Sequence, residues 1–301
     1  MLGIRLFLVK KVLRRVKNNA KYTDILKARR GFEHLVGHRN KPLKGFKYEA
    51  TVIGEMKAEW ITPDGADEKK VLLYFHGGGY AVGSPNTHRG LISQIAKNAG
   101  IKALAIDYRL APENKYPAPI EDAVAAFQFL LGHGYRAKDI CFGGDSAGGG
   151  VNIGTLCYLR DNNLPLPKCA IALSPWLDLT LTSNAYRDNR HIDPMLTHEA
   201  FPLWIKNYLG DADSKSPYAS PIFHSLKDLP PVMIQVGEEE LLLDDSTTFA
   251  TKAKSEGVDV RIEVYPKKFH VFNAFWQVLP KAREANKKLG EFLKSQLYAQ
   301  A

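Results

Sequence analysis

The sequence predicts an α/β fold: an eight-stranded, mostly parallel sheet flanked by helices, with a helical cap. Three observations point there. From residue 49 onward, short β-rich runs alternate with runs of helical period, the pattern of strand and crossover helix. Two glycine-rich turns, one at Gly77 to Gly79 and one around Ser146, each follow directly on an apolar strand. One interval of about 55 residues, between Leu173 and Pro231, is too long for a simple crossover and marks an insertion.

The strands fall near 49–54, 56–62, 70–75, 101–107, 139–144, 168–173, 231–236 and 258–265. The first two are joined too tightly to run parallel, so they form a hairpin at one end of the sheet. Ile120, Val124, Phe127 and Leu131 repeat at helical spacing, as do Ala285, Leu289, Phe292, Leu293 and Leu297. Those stripes are core. The long interval contains a helical run from Thr197 to Leu209 with Trp204 and Tyr208, preceded by the turn-like Asp193-Pro194. Residues 1–46 form an N-terminal cap segment, 47–180 the first part of the sheet core, 181–218 an inserted cap region and 219–301 the second part of the core. Both cap pieces are expected over the carboxyl ends of the strands, where open α/β sheets place their ligands.

With 301 residues, 45% hydrophobic and 24% charged, the chain has ordinary globular composition and one large core is expected. The net charge of +9 is unevenly spread. Residues 1–47 hold 14 Lys or Arg against Asp24 and Glu33, a balance of +12, which leaves −3 for the rest. The basic residues alternate with Leu2, Ile4, Leu6, Leu8, Val9, Val12, Leu13 and Val16. The first reading is a cap helix with one apolar face on the body and a solvated charged face. The second is contact with an anionic membrane surface. Nucleic acid is not expected as a partner, since no stacking aromatics accompany the charge, and the sequence leaves room for a homodimer. Arg5, Lys10 and Lys11 break the apolar start, so no signal peptide is read there, and no stretch has transmembrane length. Cys141, Cys157 and Cys169 are odd in number, lack C-x-x-C spacing and sit in apolar runs, which fits buried free thiols in the cytoplasm and gives no zinc site.

Two motifs carry chemistry. The strand Asp139 to Gly143 runs into Gly144-Asp145-Ser146-Ala147-Gly148, followed by Gly149, Gly150 and a helical run from Val151 to Arg160. A serine on a sharp strand-to-helix turn has a strained backbone and needs small neighbours, so its hydroxyl projects above the sheet as a nucleophile. The strand Val71 to Phe75 ends in His76-Gly77-Gly78-Gly79-Tyr80, which matches neither phosphate-cradling pattern. Successive glycines let backbone N–H groups approach an oxygen, so Gly78, Gly79 and the N–H of Ala147 are the candidate oxyanion donors. His76 is read as a structural hydrogen-bonding residue.

With these motifs the sequence resembles the bacterial hormone-sensitive-lipase-like esterases of the α/β-hydrolase superfamily. The resemblance extends to Asp107-Tyr108-Arg109-Leu110-Ala111-Pro112-Glu113, Tyr116-Pro117-Ala118, Ser174-Pro175-Trp176 with Asp178-Leu179-Thr180, and Pro230-Pro231. In that fold the triad follows the chain order serine, acid, histidine. Of nine histidines only His270 lies beyond strand 231–236, and the resemblance also makes it the catalytic base. The acid lies among Glu238, Glu239, Glu240, Asp244 and Asp245. Glu240 with Asp244 keeps the family's four-residue spacing, so Glu240 is the first choice and Glu239 or Asp244 the alternatives; the other acids are expected to cap or solvate the next helix. Asp107 and Arg109 are expected to fix a loop beneath the site, and Asp122 to sit in the first turn of a helix. The implied function is hydrolysis of small, mostly apolar, short- to medium-chain acyl esters through an acyl-enzyme, with no cofactor or metal. An amidase or deacetylase on the same residues is the alternative within enzymes. A non-catalytic ligand receptor, like the plant gibberellin receptor that resembles this family, is the alternative outside them.

Overall fold

The computed structural model describes residues 2–19 and 24–299. Residues 1 and 20–23 of the N-terminal segment, and the last two of the chain, lie outside the described residues. Eight strands form one sheet: β1 (Phe46–Ile53), β2 (Met56–Pro63), β3 (Asp67–Phe75), β4 (Ile101–Ile106), β5 (Ile140–Asp145), β6 (Cys169–Leu173), β7 (Val232–Gly237) and β8 (Val260–Tyr265). Their spatial order is β1-β2-β4-β3-β5-β6-β7-β8. The hairpin β1–β2 is antiparallel, with Ile53 opposite Met56, and β2 is also antiparallel to β4; from β4 to β8 every pair is parallel.

The helices are α1 (Leu2–Asn19), α2 (Ile25–Leu35), α3 (Pro85–Ala99), α4 (Ala118–Gly132), α5 (Ala147–Asp161), α6 (Asn184–Asp188), α7 (Phe201–Leu209), α8 (Leu243–Ser255) and α9 (Pro280–Tyr298). Alternation along β3 decides which side each packs on. Leu72 and Tyr74 face a core shared with α3 and α9, whereas Val71, Leu73 and Phe75 face one shared with α4, α5 and α8. Strands covered on both faces have no reason to alternate in polarity. Accordingly β5, β6 and β7 are buried at every position, and their cysteines, Cys141 and Cys169, are buried neighbours across β5 and β6.

Some boundaries differ from the sequence reading. Asp139 ends a short 3-10 turn (Ala137–Asp139) and β5 starts at Ile140; the helix after Ser146 starts at Ala147, not Val151. The predicted helix from Thr197 begins only at Phe201, after a 3-10 turn (His198–Ala200). Pro202 explains the shift, because proline lacks the N–H an interior turn needs and sits best at a helix start. Asp122 is the fifth residue of α4, beyond the first turn, where Glu121 stands instead. Its carboxylate accepts the Arg109 backbone N–H at 2.7 Å and Arg109 Nε at 2.9 Å, so it fixes the loop after β4 and not its own helix end.

Candidate active site

The sheet presents Ser146 on a bend that its neighbours enforce. Its backbone has φ 54° and ψ −123°, a region unfavourable to any side chain, and it is held there by three hydrogen bonds. Ser146 N–H donates to Leu173 O at 2.9 Å, while Ser146 O accepts from Trp176 N–H at 2.9 Å and Gly150 N–H at 3.2 Å. The glycines two residues either side are required by space: a Cβ on Gly144 would stand 2.3 Å from Gly148 O, and one on Gly148 would stand 2.1 Å from Phe75 O.

From Ser146 a hydrogen-bonded chain runs inward. Ser146 Oγ lies 2.8 Å from His270 Nε2, and His270 Nδ1 lies 2.6 Å from Glu240 Oε2. Glu240 is fully buried and His270 nearly so. The other Glu240 oxygen accepts from Ser174 Oγ at 2.8 Å and from Gly237 N–H at 2.6 Å, so the carboxylate is held from both sides. Burial works to lower the His270 pKa, but the bond to Glu240 and its charge outweigh it and raise the imidazole above its ordinary value. With Nδ1 held by Glu240, Nε2 faces the Ser146 hydroxyl, an arrangement in which a neutral imidazole can accept a proton.

Beside this chain the loop after β3 turns through Gly78 (φ 125°) and Gly79 (φ 57°). A Cβ on Gly78 would collide with Val82 O at 2.1 Å, and one on Gly79 with the Trp204 ring at 2.3 Å, so the sequence is confined to glycine there. Gly78, Gly79, Ser146 and His270 line one cavity of about 480 Å³. Its remaining wall is mainly apolar: Phe32, Leu35 and Val36 come from α2 and the residue after it, and Leu196, Phe201 and Trp204 from the insertion. The insertion is braced on the glycine loop, with Tyr208 of α7 stacked on Tyr80 at 3.7 Å.

A family model of the alpha/beta hydrolase fold matches residues 72–274. The chain belongs to the α/β-hydrolase family. It is 39% identical over 247 residues to an acetyl-hydrolase of Streptomyces hygroscopicus, covering 82% of each chain. It is 37% identical over 231 residues to an esterase of Acinetobacter venetianus, covering 76% of each. A crystal structure of an esterase from the bacterial hormone-sensitive lipase family superposes with TM-score 0.93 at 40% identity, covering 97% of this chain and 98% of that one. Within the α/β-hydrolases this chain is a carboxylesterase of the hormone-sensitive-lipase branch, a serine hydrolase.

The other acids of this hydrolase's Glu238–Asp245 cluster have different tasks from those the sequence suggested. Glu238 accepts Lys267 N–H, Glu239 pairs with Lys10 of α1, and Asp244 accepts Ala185 N–H of α6. Asp245 is buried and accepts Leu177 and Asp178 N–H at 2.7 and 2.9 Å. Asp244 and Asp245 do stand in the first turn of α8, but their carboxylates reach across to other segments. His76 is buried, stacks on Tyr108 at 4.3 Å, and has its pKa lowered to about 3 by burial, so it remains neutral.

Three supporting residues of the hydrolase escaped the sequence reading. Ser174 stands behind Glu240 and also accepts Val271 N–H at 3.0 Å, tying the acid to the histidine's own loop. Asp193, read only as part of a turn, accepts Met195, Leu196 and Leu241 N–H and so joins the insertion to the acid's turn. His88 lines the cavity with Nε2 3.3 Å from Asp145, whose other oxygen accepts from Tyr74 OH and Gly77 N–H. Burial opposes the His88 charge, yet Asp145 raises its pKa and is itself held below the usual carboxylate range. For Ser174 the one available signal was its place in the Ser174-Pro175-Trp176 family match; nothing local marked His88.

Proposed function

We propose that this carboxylesterase hydrolyses short- to medium-chain acyl esters through a Ser146-His270-Glu240 triad and an acyl-enzyme. The observation that carries the reading is the continuous chain from Ser146 Oγ through His270 to Glu240, at 2.8 and 2.6 Å. In the first step His270 Nε2 takes the Ser146 proton as Oγ attacks the ester carbonyl, and Glu240 stabilises the imidazolium that forms. The carbonyl oxygen, now negative, is met by the N–H groups of Gly78, Gly79 and Ala147 and by the positive end of α5. His270 then gives its proton to the departing alcohol, forming the acyl-enzyme. Water attacks the acyl carbonyl with His270 again as base, and Ser146 is regenerated.

The cap pieces, residues 1–46 and 181–218, act as a lid that sets acyl length. The size of the cavity supports this, since about 480 Å³ bounded by Phe32, Phe201 and Trp204 suits a small apolar acyl group. The name of the Streptomyces relative points the same way. Among the described residues no helix is long and apolar enough to cross a membrane, and three buried thiols suit a reducing compartment such as the cytoplasm.

Rates over nitrophenyl esters of rising acyl length test both parts. The expected profile peaks at short to medium chains and falls for long ones, and Ser146→Ala lowers kcat by several orders of magnitude, on the order of 10⁶ in a comparable triad. Near-normal turnover by Ser146→Ala, or a profile still rising at the longest chain, overturns the proposal.

A further inference from the structure

Helix α1 has two apolar sides, and the fold uses only one. Leu6, Val9 and Leu13 pack on the cluster of Tyr265, Phe269, Phe272 and Leu279, while Lys10 pairs with Glu239 and Lys17 donates to Asp193 O at 2.9 Å. The other side carries Ile4, Phe7, Leu8 and Val12, and Val16 follows Val9 and Leu13 near the helix end; all five are between 53% and 63% exposed. Arg5, Lys11, Arg14 and Arg15 are exposed on the same helix, which contains no acidic residue. The expectation of a solvated charged outer face is therefore only half met, because the outer face is apolar and basic together. Four large side chains on one exposed helix face form a patch of the kind that marks an interaction site.

We propose that the outward face of α1 docks on an anionic phospholipid bilayer. The mixture of side chains selects this occupant. The apolar residues need a hydrocarbon surface, and the basic ones need negative charge within a Debye length of it, which a leaflet of acidic lipids provides together. Lys11 and Arg15 lie among Ile4, Leu8 and Val12 around the helix, and their long stems can follow the apolar surface while the charges reach the headgroups. A second copy of the chain is a poorer occupant, since pairing this face with itself would set two basic surfaces against each other with no acid on either. The helix is bolted to the body through Lys10, Lys17 and the Leu6-Val9-Leu13 face, so docking would hold the whole enzyme at the surface with α1 lying flat.

The test is co-sedimentation of the full chain with vesicles of phosphatidylcholine alone and of phosphatidylcholine containing phosphatidylglycerol, at low and high salt. The expected result is binding to the acidic vesicles only, weakened by salt. It should fall at least about tenfold both in Phe7→Gln with Leu8→Gln and in Lys11→Gln with Arg15→Gln. Unfolding temperatures equal to that of the unaltered protein establish that these variants are folded. The proposal is overturned if the unaltered protein ignores acidic vesicles, or if the variants bind as well as it does. It is equally overturned if the face proves occupied by a second copy, seen as a dimer in sedimentation that the Phe7 and Leu8 changes dissociate.

Discussion

Because one oxygen of Glu240 accepts from both Ser174 and Gly237, the carboxylate cannot rotate freely, and this makes an amide replacement informative. In Glu240→Gln the amide oxygen must stay toward those two donors, which turns its NH₂ group toward His270 Nδ1. The imidazole then has to carry its proton on Nε2, where the base is needed, and kcat should fall by on the order of 10⁴, as it does for the acid-to-amide change in a related triad. Glu239→Gln and Asp244→Asn serve as internal controls and should change kcat only by a small factor, since those carboxylates hold Lys10 and Ala185 and not the imidazole. If Glu240→Gln keeps near-normal kcat while one of the others collapses at equal unfolding temperature, the assignment of the acid is wrong. The titration of His270 has a definite sign as well. A histidine base works only when neutral, and Glu240 raises the pKa of His270, the proposed base, against the effect of burial. Activity should therefore be lost as pH falls through a value above histidine's ordinary figure of about 6.5, not below it. A profile of kcat/KM against pH checks this, and a plateau reaching down to about pH 5 excludes a His270 with a raised pKa as the base.

At the level of elements, what the sequence made legible follows from how local each determinant is. The strands β5, β6 and β7 stand out as mostly apolar runs, interrupted by Gln235 in β7 and ended by Asp145 in β5, because helices bury both their faces. The Ser146 bend is legible because its steric needs are met within two residues either way, and His270 because chain order leaves one candidate. In the sequence only the family's four-residue spacing to Asp244 favours Glu240 over Glu239; the contacts that set Glu240 apart, with Ser174 and His270, are remote in sequence and adjacent only in the fold. The link from His88 to Asp145 and on to Gly77 was invisible for the same reason. Pro202 was a local signal with a clear physical meaning, and it fixes the start of α7 more firmly than the apolar spacing from Thr197 does. Asp122 shows the reverse case: proximity to a helix start suggests a place in its first turn, but the carboxylate sits one residue beyond and takes the backbone N–H and guanidinium of Arg109 as charge-assisted partners.

Across the molecule, the charge balance of +12 in residues 1–47 against −3 elsewhere coincides with a structural division. The basic segment covers the hydrolase at two places at once. Through Leu6, Val9 and Leu13 it covers the cluster of Tyr265, Phe269 and Phe272, and through Phe32, Leu35 and Val36 it lines part of the cavity at Ser146. Deleting residues 1–40 should therefore have two linked effects in detergent-free buffer. Hydrophobic surface around Phe269 and Phe272 becomes exposed, measured as increased binding of an apolar fluorescent dye and a lower unfolding temperature. With one wall of the cavity gone, discrimination among acyl lengths should also weaken, so that the rates on short and long nitrophenyl esters draw together. The sheet, the Ser146 bend and the Glu240 turn lie outside the deleted segment, so hydrolysis of the smallest ester should persist at a reduced rate. If the truncated protein instead keeps its acyl-length profile and its stability while losing only its affinity for acidic vesicles, the segment is an anchor alone. The lid role assigned to residues 1–46 would then have to be given up, leaving the insertion at 181–218 as the only cap.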